Sequence, residues 1–76
     1  MDIVTAFGIV LRQRRKEIAM SQEDLALSSE LDRTYISLLE RGKKSPTLVT
    51  IFKLAFVLDI KPSELLGRVE ELKKNS

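Results

Sequence analysis

Apolar positions recur every three to four residues in five segments of the chain, and the breaks between segments are only a few residues long. The first segment runs from about Ile3 to Ile18, with Ile3, Phe7, Leu11 and Ile18 at helical spacing. Ser21 reads as an N-cap, because its hydroxyl can accept from a free N–H of the next turn. Asp24, three residues on, makes an acidic variant of the capping box. A second helix therefore starts at Gln22 and reaches about Ser28, with Leu25 and Ala26 facing inward. Asp32 caps a third helix from Arg33 to Glu40 or Arg41. Gly42 ends it, since glycine tolerates a left-handed conformation without a side-chain clash. "KKSP" follows as a loop, and Thr47 caps a fourth helix, Leu48–Leu58. Pro62, pre-set at the first helical position, opens a fifth helix to about Lys73. No segment alternates with period two for long enough to argue for a strand. The expected fold is all-α, one domain over residues 1–76.

The fourth helix carries two apolar stripes. Leu48, Ile51, Leu54, Ala55 and Leu58 form the face expected to pack inward, and Val49, Phe52 and Phe56 form a second. A helix apolar nearly all round must bury both sides. The fifth helix continues with Leu65, Leu66, Val69 and Leu72. A self-complementary two-fold interface of Val49, Phe52, Phe56, Leu65, Val69 and Leu72 is the expectation, with intramolecular packing as the plain alternative.

Composition narrows the chemistry. The 76 residues include no Cys and no His, which excludes disulfide staples and the usual zinc sets; no metal or cofactor is expected. A chain this short buries only about 60% of its unfolded surface, so helix packing or a partner subunit must stabilise it. The start, "MDIVTAFGIVL", lacks a basic region and a small-residue cleavage site, and so does not read as a secretory signal. The longest apolar run, "LAFVL", is too short to span a bilayer. A soluble, cytoplasmic protein with no membrane partner is expected. Without His or Cys, acid–base work would fall to carboxylates or lysines, and none sits in a pocket-forming pattern. Ser28–Ser29 has no activating base, so no enzyme is expected.

The net charge of +2 says less than its distribution. "RQRRK" at Arg12–Lys16 carries four positive charges, and Arg41, Lys43 and Lys44 add three around a loop. Either cluster alone reads as a solvated face; two of them flanking one polar helix face point to an anionic partner. Stepping 100° per residue from Arg33 places Arg33, Thr34, Ser37 and Arg41 in about one quadrant of the third helix. Two short helices with a short join, the second polar outside, form a helix-turn-helix, whose second helix presents its first residues to base edges. Arginine forks onto guanine, and threonine bonds a base edge or touches a thymine methyl. Simple decoration of a helix start is the plain alternative.

The run "MSQEDLA" followed by "LDRTYISLLERGKKSPTLVTIFKLAFVLDIKPSELL" resembles the helix-turn-helix family of lambda repressor, Cro and the xenobiotic-response-element regulators. The resemblance covers about Phe7 to Leu66. It implies a five-helix DNA-binding domain. "LDRTYIS" and the short length are similar to controller proteins of restriction–modification systems, which are small dimeric autoregulators.

The resemblance also implies roles. Gln22 bonds a DNA phosphate and braces the recognition helix. Arg33, Thr34 and Ser37 read bases, and Tyr35 reaches a base or the backbone. Arg41, Lys43, Lys44 and Ser45 run along the phosphates, and Thr47 with the start of helix four makes another phosphate contact. Arg15 pairs with Glu40 inside the domain. Arg14 stands where relatives often carry Leu, so its stem covers apolar surface while its charge reaches solvent or a phosphate. Glu30 and Ala19 replace glycines that the family often uses in turns, and a left-handed non-glycine residue costs roughly 1–2 kcal/mol. The implied function is dimeric, sequence-specific binding of a near-palindromic double-stranded DNA operator, with autoregulation. The alternative is a phage-type repressor or antitoxin-type regulator whose helix four and five surface binds a toxin or an antirepressor; RNA polymerase is the other candidate protein partner.

Overall fold

Residues 1–75 are described by a computed structural model of five helices: α1 (Ile3–Glu17), α2 (Gln22–Ser29), α3 (Arg33–Glu40), α4 (Leu48–Val57) and α5 (Pro62–Lys74). The all-α expectation holds, and the ends fall where the capping chemistry puts them. Ser21, Asp32 and Thr47 accept from the backbone N–H groups of Asp24, Thr34 and Thr50 at 3.0, 3.3 and 3.1 Å. Asp2 caps α1 in the same way, accepting from the Thr5 N–H at 2.7 Å. That hydrogen bond from the Thr5 backbone holds the Asp2 carboxyl below its ordinary pKa. Pro62 takes the first position of α5.

Among the described residues, four helices end alike. Ala19, Glu30, Gly42 and Asp59 each adopt a left-handed conformation. The next residue then donates its N–H back five positions: Met20 to Arg15, Leu31 to Ala26, Lys43 to Leu38 and Ile60 to Ala55. These are Schellman ends, in which an apolar residue after the left-handed one usually packs back on the helix. Met20, Leu31 and Ile60 do so; Lys43 alone is exposed.

The helices enclose a single apolar core. α1 packs on α3 and α5, α2 on α3 and α4, and α4 on α5. Leu11, Leu25, Ile36, Leu39, Leu54, Leu58 and Leu65 are fully buried. α1 crosses the end of α3 at Gly8, where an added Cβ would run into the Leu39 carbonyl oxygen and lie 2.7 Å from that of Glu40.

Four expectations change. Ile3 and Leu48 have helical spacing but are exposed, each in the first turn of its helix; Ile3 borders a shallow cavity beside Leu66 and Val69 of α5 without being covered by it. Leu48 instead joins Val49, Phe52 and Phe56 in one outward stripe. Leu65 and Val69 are core residues rather than interface residues, since the inner stripe of α5 lies against α1 and α4; Leu72 packs half-buried on the same core. A phosphate contact from Arg14 gives way to an internal role. Its Nε and Nη2 donate to the carbonyl oxygens of Leu58 and Asp59 at 2.9 and 3.0 Å, and its Nη1 meets Glu17 at 3.1 Å. Arg68 of α5 reaches Glu17 at 2.9 Å, and hydrogen bonds first from Arg68 and then from Arg14 lower the Glu17 pKa. The "RQRRK" cluster thus splits: Arg14 and Arg15 turn inward, whereas Arg12 and Lys16 are exposed.

The left-handed residues yield a stability prediction. Glu30→Gly removes the Cβ strain at φ 59° and adds unfolded-state freedom, effects of roughly 1–2 and 0.5–1 kcal/mol. The expected result is a net gain of up to about 1.5 kcal/mol, read as a higher urea midpoint. A lower midpoint would mean that the Glu30 side chain stabilises the turn.

Candidate nucleic-acid interface

The setting of α3 follows from its buried side. Ile36 and Leu39 are fully buried, which fixes the rotation of the helix and turns Arg33 and Thr34 outward in its first turn. Ser37, one turn on, lies half-buried on the same face. Gln22 opens α2, directly after its cap. Gln22, Arg33, Thr34 and Ser37 together line one shallow depression of about 240 Å³. Tyr35 is only half available, since its ring packs against the core.

The loop after α3 supplies charge. Arg41, just before the Gly42 turn, and Lys43, Lys44 and Ser45, between that turn and the start of α4, are all exposed. Thr47 is exposed too, but its hydroxyl is committed: it accepts from the Thr50 N–H and lies 3.0 Å from the Thr50 hydroxyl. Any anion there meets the free N–H groups of the first turn of α4 rather than that hydroxyl. The surface therefore offers guanidinium, hydroxyl and amide donors beside a cationic loop, with Asp32 at its edge as a cap. Among the described residues, no group of His, Cys, Asp or Glu could hold a metal ion, and no helix is long and apolar enough to cross a membrane.

Behind this surface lies a buried polar network. Arg15 Nε donates to Glu40 Oε2 at 2.7 Å and Arg15 Nη2 to Glu40 Oε1 at 2.9 Å, a fork-to-carboxylate pair between α1 and α3. Arg15 Nη1 donates to the Met20 carbonyl oxygen at 2.9 Å. Gln22 Nε2 donates to Glu40 Oε1 at 3.0 Å, so α2 joins the same carboxylate. Both charged partners are buried, and the hydrogen bonds that Arg15 donates to Glu40 raise the Arg15 pKa above its ordinary value. Among the described residues, every buried side-chain nitrogen or oxygen has a partner.

A separate feature is the outer face of α4. Val49, Phe52 and Phe56 are 66%, 55% and 86% exposed. Phe56 stands between two shallow grooves, one lined by Ala55, Ile60 and Pro62 and the other by Ser29, Glu30 and Val57. An apolar patch of this kind marks an interaction surface more often than bare solvent exposure.

Comparison with known proteins gives a consistent result. The helix-turn-helix family pattern matches residues 11–65. The control protein C.MunI of a Mycoplasma species is 42% identical over 71 residues, which are 92% of this chain and 96% of that one. The crystal structure of the restriction–modification controller C.AhdI from Aeromonas hydrophila is 48% identical and superposes with a TM-score of 0.79, covering 82% of this chain and 94% of that one. The controller C.Esp1396I, crystallised as a tetramer with its natural 35 base-pair operator, is 30% identical with a TM-score of 0.85 over 93% of each chain.

The buried pair carries a prediction. Arg15→Ala leaves Glu40 buried without its cation and is expected to cost about 3–5 kcal/mol of stability. Replacing both partners, Arg15→Met with Glu40→Leu, is expected to recover most of that loss. Urea denaturation of the two variants checks the order.

Proposed function

This chain belongs to the helix-turn-helix family, and we propose that it is a sequence-specific transcription regulator of the restriction–modification controller type that binds its operator as a homodimer. The observation that carries this reading is the depression in which Gln22 of α2 meets Arg33, Thr34 and Ser37 of α3, next to the exposed cations of the following loop. In that arrangement α3 enters the major groove. Arg33 forks onto a guanine, while Thr34 and Ser37 bond base edges or touch a thymine methyl. Tyr35 contributes its exposed edge. Gln22, Arg41, Lys43, Lys44, Ser45 and the α4 N-terminus beyond Thr47 follow the phosphates on either side.

Size argues for a pair. The domain measures 32 × 23 × 22 Å, enough for one half-site, while two recognition helices must sit about 34 Å apart to read successive major grooves. Val49, Phe52 and Phe56 supply a face for a second copy. With two-fold symmetry, each Phe56 enters a groove of the partner beside Ala55, Ile60 and Pro62. Burying one Phe is worth roughly 1.5–3 kcal/mol, so two per subunit dominate a small interface. The operator is then near-palindromic. Because a dimer must assemble to fill both half-sites, operator occupancy rises steeply with the concentration of the protein itself, which suits autoregulation.

Three sets of variants test the reading. With the operator recovered by selection from random duplex DNA, Arg33→Ala is expected to cost about 1–3 kcal/mol and relax the preference at one base pair per half-site. Lys43→Ala with Lys44→Ala is expected to weaken all sequences alike and to flatten the slope of log affinity against log salt by about one unit per lost phosphate contact. Equal losses on cognate and random DNA for Arg33→Ala would make it a phosphate contact instead. For assembly, Phe56→Lys is expected to leave a helical monomer with poor operator binding at nanomolar to micromolar concentration, as seen by ultracentrifugation and circular dichroism. A parent protein that sediments as a monomer at tens of micromolar removes this interface.

A further inference from the structure

We propose that Glu40, which lies behind the reading surface, is a positioning residue that orients the Gln22 amide for a DNA phosphate; this rests on the DNA-binding role assigned to the surface above. The argument is one of donor and acceptor polarity. A glutamine amide has a two-donor end and an acceptor end, and a carboxylate only accepts. Glu40 Oε2 receives Arg15 Nε, and Glu40 Oε1 receives both Arg15 Nη2 at 2.9 Å and Gln22 Nε2 at 3.0 Å. Gln22 therefore has to turn its NH2 group, not its carbonyl, towards Glu40. One Nε2 proton is used there, and the second remains for an acceptor at the depression that Gln22 lines with Arg33, Thr34 and Ser37.

A phosphate oxygen also only accepts. Of the two amide orientations, the one that satisfies Glu40 is the one that suits phosphate, because the flipped amide would turn its single oxygen towards both acceptors. Arg15 acts one step further back, because its fork occupies both carboxylate oxygens and fixes the carboxylate plane. Cation, carboxylate, amide and phosphate then alternate along one line of hydrogen bonds from α1 through α3 to α2. Without Glu40, the amide must be ordered at the moment of binding, which weakens the contact.

The test combines side-chain NMR with a double-mutant cycle. In the parent protein, one Gln22 Nε2 proton is expected downfield and protected, the other not. Two protons with the shifts and exchange of a free glutamine overturn the proposal, and this arm needs no variant to fold. On the selected operator duplex, Gln22→Ala is expected to lower affinity about tenfold and to reduce the salt slope. Arg15→Met with Glu40→Leu, checked for helicity and melting, is expected to give a similar loss, with little further loss when Gln22→Ala is added. Losses that multiply, or a Gln22→Ala variant that binds like the parent, overturn the positioning role while leaving the DNA-binding reading intact. A parent that binds no duplex overturns both.

Discussion

The forked contact between Arg15 and Glu40 ties three helices together, because the same carboxylate also receives Gln22. α2 and α3 have eight residues each, lengths at which an isolated helix in water is marginal. Their angle and register must come from tertiary contacts. Apolar contacts from Leu25, Ile36 and Leu39 set the distance between them. Apolar contacts alone are tolerant of small rotations, whereas a two-point ionic fork is not. The network thus supplies orientation to a pair of helices whose outward side chains depend on orientation. Its cost in desolvation makes it a poor source of net stability, so geometry is the better account of what it contributes.

A second polar device works at the other end of the core. Arg14 clamps the carbonyl oxygens of Leu58 and Asp59, which are released where α4 ends, and Glu17 links that clamp to Arg68 of α5. The clamp lies two residues beyond Phe56. Consecutive arginines on α1 thereby serve different parts of the molecule: Arg15 steadies the reading helices, and Arg14 steadies the turn that follows the exposed aromatic face.

Helix boundaries were legible in the sequence because they are set by local chemistry. Ser21, Asp32, Thr47 and Pro62 announce helix starts without reference to distant residues; the left-handed turns at Ala19 and Glu30 were legible only through the family resemblance, and the one at Asp59 was not foreseen. The outward face of Arg33, Thr34 and Ser37 was legible from its polar quadrant on a short helix, whereas Gln22 was placed beside it only by the family resemblance. Periodicity names a face but not its neighbour, and there the reading stops. Nothing local separates Arg14 from its neighbours in "RQRRK", since only the crossing of α1 with the end of α4 gives it carbonyl partners. Leu65 and Leu66 look alike in sequence, yet one is fully buried and the other is at the surface. Leu48 and Ile3 keep helical spacing in turns that overhang the core.

Gly8 has a consequence for how the chain can vary. It is the point at which α1 touches the Leu39 and Glu40 carbonyls, and it lies seven residues before Arg15, two helical turns up nearly the same face. Sliding α1 by one residue in either direction would drive Phe7 or Ile9 against those carbonyls. The missing side chain therefore acts as a notch that indexes the helix, and the register it sets is the one that places Arg15 opposite Glu40. Insertions or deletions between positions 8 and 15 would leave the notch and the cation out of step, so that spacing is the part of α1 least free to drift while its exposed residues change.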